Sequence, residues 1–176
     1  MGISVDHIKE LREMTSCGVI ECKKALEEAK GDFNKAKEIL IKRGLEIAAK
    51  KGDRAAKEGR VESYIHMGSK IGVLVEVNCE TDFVARNEDF CQFTKDVAIQ
   101  IAATSPKYVR KEEIPADVLS QQIDKENFIK ESCLLEQPFV KDPKLTIQDY
   151  MNSLVAKIGE NIFIRRFIRY KVSEVE

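Results

Sequence analysis

Thirty carboxylates, two histidines and five cysteines are the groups in this chain best suited to bond chemistry. Their spacing assembles none of it. Acids in such number pair by chance throughout, and position singles out no pair. His66 falls on the exposed side of an alternating strand, where a lone imidazole is ordinary. Cys17, Cys22, Cys79, Cys91 and Cys133 form no Cys-x-x-Cys pair. Neither His7 nor His66 lies near a cysteine in sequence, so no zinc site is read. There is no Gly-x-Gly-x-x-Gly, no phosphate loop and no Gly-x-Ser-x-Gly. The chain is not read as an enzyme, and no cofactor or metal is expected. Phe163 and Phe167 among Arg165, Arg166 and Arg169 resemble a base-stacking platform. The RNA-recognition signature is missing, however, and an amphipathic strand with one face against a helix or another subunit accounts for the same residues.

What stands out is recognition rather than catalysis. Asn78 to Asn87 reads Asn-Cys-Glu-Thr-Asp-Phe-Val-Ala-Arg-Asn, between an alternating strand and a periodic helix. Such a junction needs a cap and a turn, and Thr81 or Asn87 can supply the cap. It has no need of Phe83. A ring there either folds back into the core or is presented to a partner. Ile20 poses the same question: it lies in line with Lys23, Lys24 and Glu27 on the polar side of a helix. It is either an edge residue half covered by the preceding helix or an exposed contact.

The elements that must position these residues follow from periodicity. Residues up to Gly44 read as three short helices, with Val5, Ile8 and Leu11 on one face of the first. Val19, Cys22, Leu26 and Ala29 line the second, and Phe33, Ala36, Ile39 and Leu40 the third. Gly18 is free to take a positive φ at the break, Asp32 is expected to cap the third helix and Gly44 to stop it. Residues 47–59, rich in alanine and charge, read as a partly helical linker whose Lys50, Lys51, Arg54 and Lys57 are most simply a solvated face. A hairpin follows, with Val61, Ser63, Ile65 and Met67 on one side and a two-residue turn at Gly68-Ser69. On its return strand Ile71, Val73, Val75, Val77 and Cys79 point together, so helices must cover that face. A helix from about Glu88 to Thr104 carries Phe90, Phe93, Val97 and Ile101. Another is expected from Pro115 to Glu136, then an extended loop from Gln137 to Pro143. Thr146 and Asp149 form a capping box for a helix ending at Gly159. A last strand over 162–172 places Ile162, Ile164, Ile168 and Tyr170 on one face. The fold class is α+β: a small three-helix module (1–46), a linker (47–59) and a core (60–176) of helices on a small antiparallel sheet.

Composition bounds the rest. The 176 residues, 43% of them hydrophobic, suffice for one or two domains with a core. A net charge of -1 argues against non-specific nucleic-acid binding as the main task. No apolar run is long enough for a bilayer, so no membrane partner is expected. The N-terminus has no signal character and the cysteine count is odd, which suggests free thiols in a reducing cytoplasm.

The motifs then carry a resemblance. His7-Ile-Lys-Glu-Leu-Arg-Glu-Met-Thr-Ser-Cys-Gly18 with Cys22-Lys-Lys-Ala-Leu26 resembles the N-terminal module of the elongation factor Ts family. Val75 to Asn87 looks like its central signature. Gln137-Pro-Phe-Val-Lys-Asp142, Gly159-Glu-Asn-Ile162 and Arg165-Arg166-Phe167 are similar to its C-terminal signatures. The match runs in order from about residue 3 to 171. The family often has Gly-Ala-Gly-Met-Met where this chain has Ser16-Cys17-Gly18-Val19-Ile20, which keeps the apolar character.

The resemblance implies a guanine-nucleotide exchange factor for elongation factor Tu. It implies that the N-terminal module, similar to a ubiquitin-associated (UBA-like) fold, docks on the nucleotide-binding domain of Tu through Arg12, Val19 and Ile20. It implies that Thr81, Asp82, Phe83 and Val84 intrude near the nucleotide and dislodge magnesium. Some short members are dimeric, so a second copy of this chain joins the partner list. The alternatives are an RNA- or ribosome-associated protein using Lys50, Lys51, Arg165, Arg166 and Arg169, and a thiol enzyme, whose sign is loss of activity on alkylating Cys22 or Cys79.

Overall fold

The computed structural model describes residues 3–15, 17–51 and 54–173, with side chains for all of these except 45 and 47–51. Ser16 and Gly52, and the side chains of Lys50 and Lys51, therefore lie outside the described residues. The chain divides into two compact units, Met1–Ala55 with Met151–Ile162, and Ala56–Tyr150 with Phe163–Glu176.

The first unit contains α1 (Val5–Thr15), α2 (Val19–Glu28) and α3 (Phe33–Lys51). Leu11, Cys22, Ala25, Leu26, Ala36 and Leu40 form its core, with Ile8, Phe33 and Ile39 packed against it. Asp32 caps α3 as expected, its Oδ1 accepting from the N–H groups of Asn34 (3.0 Å) and Lys35 (3.1 Å). The chain enters that cap through left-handed residues at Lys30 and Gly31. One freedom goes unused and one expectation fails. Gly18 has φ -63 and ends in extended backbone as the N-cap of α2, because α1 already stops at Thr15 and no left-handed turn is needed. Gly44 is inside α3, where a Cβ would stand 3.2 Å from the Asn152 carbonyl oxygen. Glycine permits close helix approach there instead of ending the helix. Helix α3 and the first strand thus enter both ends of the 47–59 stretch.

The second unit is built on a three-stranded antiparallel sheet of β1 (Glu58–Ile65), β2 (Ile71–Cys79) and β5 (Phe163–Lys171), in the order β1-β2-β5. Helices α4 (Asp82–Ala85) and α5 (Glu88–Thr104) follow β2, and α5 packs on β1 and β2. The helix expected over 115–136 is two, α6 (Ala116–Ser120) and α7 (Lys125–Ser132), plus a 3-10 turn at Leu134–Glu136. Asp124 interrupts it by capping α7, its Oδ1 accepting from the Asn127 N–H at 3.0 Å. The expected loop at 137–143 folds into a hairpin of β3 (Pro138–Phe139) and β4 (Asp142–Thr146). Gln100 holds it down: its side-chain amide Nε2 donates to the Pro138 carbonyl (3.1 Å) and its Oε1 accepts from the Val140 N–H (2.9 Å). Helix α8 (Ile147–Ile158) opens on the expected capping box, with reciprocal Thr146–Asp149 hydrogen bonds of 3.0 and 3.1 Å, and Gly159 follows it at φ +85. The architecture is α+β, helices on a small antiparallel sheet.

The sheet turns over two expectations about faces. Cross-strand partners share a face, so Glu62 and Tyr64, opposite Val75 and Val73, point toward α5. Val61 and Ile65 point outward and are exposed. The loop between these strands is also longer than two residues: Ser69 N–H closes on the His66 carbonyl (2.9 Å), with Met67 and Gly68 at the turn's centre. In β5 the register shifts between Glu76 and Val77, so that Val77 pairs with Ile164 but Glu76 with Arg166. Arg165 is the extra residue of a bulge, and every side chain beyond it changes face. Phe163, opposite Asn78, and Phe167, opposite Val75, therefore lie on opposite faces, and the stacking platform does not form.

Candidate functional site

Between Cys79 and Glu88 the chain makes two capped helices in succession, where the sequence suggested a single junction. Thr81 caps the first: its Oγ1 accepts from the Val84 N–H at 3.4 Å, in extended backbone at φ -126. Asn87 caps the second, its Oδ1 accepting from Asp89 N–H (2.9 Å) and Phe90 N–H (3.4 Å). Four residues cannot sustain a helix alone. Helix α4 persists because both ends are tied down. The Cys79 thiol donates to the Thr81 carbonyl (3.1 Å), and the Asn87 N–H donates to the Val84 carbonyl (2.9 Å).

This geometry decides the fate of Phe83. Val84 and Ala85 are half-buried, while Phe83 is 78% exposed. The ring does not fold back as a staple for the helix entry. Asp82 is also exposed and is ion-paired with Arg86 one turn later, and the Arg86 guanidinium carbon lies 5.8 Å from the Phe83 ring centroid. The structure thus brings Thr81, Asp82, Phe83 and Val84 together on one turn, with Thr81 as its cap.

In the first unit, Arg12, Val19 and Ile20 are all exposed, Ile20 at 69%. The half-covered reading of Ile20 is overturned, and Val19, expected in the core stripe, faces out because it is the first residue of α2. Val5, also expected to face the core, is exposed at the start of α1. Met14 is a further exposed apolar residue that the sequence reading missed. The sequence carried no signal for this: three residues past Leu11, Met14 falls by spacing on the side of the helix that faces the core. Arg12 lines a shallow cleft of ≈ 250 Å³ with Lys9, Glu13 and Lys157.

The thiols are arranged for packing. Burial pushes Cys17 and Cys22 above the ordinary thiol range, and burial with nearby Glu136 pushes Cys133 up to about 11. Among the described residues no three of His, Cys, Asp and Glu gather as metal ligands, and no helix is long and apolar enough to cross a membrane.

Comparison with known proteins agrees with the motifs. The family model described as elongation factor TS matches residues 8–126. The chain is 49% identical to elongation factor Ts of Carboxydothermus hydrogenoformans, over 98% of this chain and 90% of that protein. It is 49% identical to that of Thermodesulfovibrio yellowstonii, over 100% and 99%. It is 53% identical to that of Anaeromyxobacter sp. strain K, over 98% and 89%. These alignments span 195 to 198 positions against 176 residues, so the relatives carry segments that this chain lacks.

Proposed function

The chain belongs to the elongation factor Ts family of translation elongation factors, and from that premise we propose that it is the guanine-nucleotide exchange factor of elongation factor Tu. It binds Tu·GDP, displaces Mg²⁺ and promotes GDP release so that GTP can rebind. No bond is made or broken, so the protein needs neither catalytic residue nor cofactor. It works in the cytoplasm, without nucleic acid.

Exchange requires only that the factor bind nucleotide-free Tu better than the nucleotide-bound form. Linkage makes the effect mutual: the factor by which nucleotide weakens this protein's binding is the factor by which this protein weakens the nucleotide's. Each tenfold corresponds to about 1.4 kcal/mol. The observation that carries the reading is the exposed ring of Phe83 on a turn fixed at both ends. Burying such a ring is worth roughly 1.5–3 kcal/mol. If its pocket on Tu opens only when the metal and phosphate region is displaced, that energy counts only in the open state. Thr81 and Val84 hold the turn, and Asp82 hydrogen-bonds to the shifted partner.

Affinity comes from elsewhere. We assign docking to Arg12, Val19 and Ile20 of the module within 1–46, and the wedge to the core within 60–176, joined through 47–59. The outward face of the sheet, with Val61, Ile65, Leu74, Ile168 and Tyr170, is apolar and exposed. We assign it to a second copy of this chain in a homodimer.

The test is stopped-flow release of labelled GDP from Tu with and without this protein. Acceleration that saturates with its concentration is expected. An unchanged release rate at any concentration ends the reading.

A further inference from the structure

Arg86 closes the turn that carries the wedge, and it does so with one guanidinium on two groups. Its Nη2 pairs with Asp82 Oδ2, and its Cζ lies 5.8 Å from the Phe83 ring centroid. Its backbone N–H donates to the Phe83 carbonyl at 3.3 Å. Spacing explains the coincidence: positions 82 and 86 are one helical turn apart, and Phe83 lies between them on the same side. A guanidinium is planar, so its edge can meet a carboxylate while its face covers a ring; an ammonium has no such plane.

Each contact taken singly is weak, because Asp82, Phe83 and Arg86 are all exposed. Their joint effect is on order. A phenylalanine on a one-turn helix surrounded by water has several rotamers open to it. An arginine anchored on the neighbouring acid removes some of them. Ordering a side chain before it docks lowers the entropy lost on docking.

We propose that Arg86 is a positioning residue of the exchange site: anchored on Asp82, it holds Phe83 in the orientation that enters the partner. The proposal rests on the exchange reading above. Arg86 acts through Phe83, so removing it matters only while the ring is present. The ion-paired half of the clasp is exposed and is weakened by salt.

The experiment is a double-mutant cycle on stimulated GDP release from Tu, read as the second-order rate constant. The proteins are wild type, Arg86→Ala, Arg86→Lys, Phe83→Ala and Phe83→Ala/Arg86→Ala. The expected result is a loss of about three- to tenfold for Arg86→Ala, with part of it recovered by Arg86→Lys. In the Phe83→Ala background the same substitution changes the rate less than about twofold. The Arg86→Ala deficit shrinks at high salt. A wild-type rate for Arg86→Ala overturns the proposal, as does an equal loss in both backgrounds, which makes the arginine an independent contact. If the wild type itself fails to speed release, the exchange reading has failed. If wild type and Phe83→Ala differ while Arg86→Ala does not, only the positioning role has.

Discussion

Ile164 and Ile168, four residues apart on one strand, lie on opposite faces of the sheet: the first is 0% exposed, the second 43%. Strand periodicity alone would put them together. The bulge at Arg165 separates them, with the Glu76 carboxylate beside it, 2.7 Å from Arg166 Nε and 3.6 Å from Arg165 Nε. The outer face thereby acquires Ile168 and Tyr170 beside Leu74, Val61 and Ile65.

That face should hold a dimer together. Leu74→Lys with Ile168→Lys places two charges where apolar side chains would meet, removing roughly 1.5–3 kcal/mol of burial for each residue. Sedimentation should find wild type as a dimer and the double variant as a monomer of unchanged helicity. A wild type that stays monomeric at tens of micromolar removes the assignment.

Phe83→Ala should separate function from folding. The ring is mostly in water, so thermal denaturation should shift by no more than about 2 °C. Stimulated GDP release should fall by about ten- to a hundredfold, the equivalent of losing one buried ring. Equal rates for mutant and wild type would refute the wedge.

Ile20→Ser with Arg12→Ala should act on affinity. Both positions are exposed, so the fold should be unaffected. The concentration of this protein that half-saturates exchange should rise by about tenfold or more, while the maximal rate stays within about twofold. A lower maximal rate at unchanged half-saturation would move these residues out of the docking surface.

Gly44→Leu should destabilise the first unit. A Cβ at this position stands 3.2 Å from Asn152 O and 3.6 Å from Ala156 Cβ, and a larger side chain must push the backbone apart. A loss of about 1–3 kcal/mol is expected from urea denaturation. A gain in stability would mean that helix propensity outweighs the close approach.

Thiol chemistry and pH dependence follow from burial. Iodoacetamide at neutral pH should label the half-buried Cys91 first and leave Cys17, Cys22, Cys79 and Cys133 intact until unfolding, as mass spectrometry can read. The folded protein holds the Cys133 proton more tightly than the unfolded chain does, at about 11 against 9.0. Its contribution is therefore complete below pH 9 and is lost as pH climbs from 9 to 11. Cys133→Ala should flatten that part of the alkaline limb; an unchanged limb would assign it to other groups.

Much was legible in the chain because its signals are local. Asp32, Asn87 and the Thr146–Asp149 pair cap the helices that follow them, since a cap needs only a side-chain oxygen a few residues from free N–H groups. The apolar stripe of Phe90, Phe93, Val97 and Ile101 gave the covering helix for the same reason. Other outcomes turned on partners distant in sequence. Gly44 reads as a stop but serves a close approach to Asn152, and residues 137–143 form a hairpin that Gln100 bonds. Sequence by itself determined most of the longer helices, the three strands of the main sheet and the family. Only the tertiary structure decided which way Phe83, Ile20 and Ile168 face. Facing depends on what the rest of the chain leaves uncovered, and one extra residue in a strand is enough to reverse it.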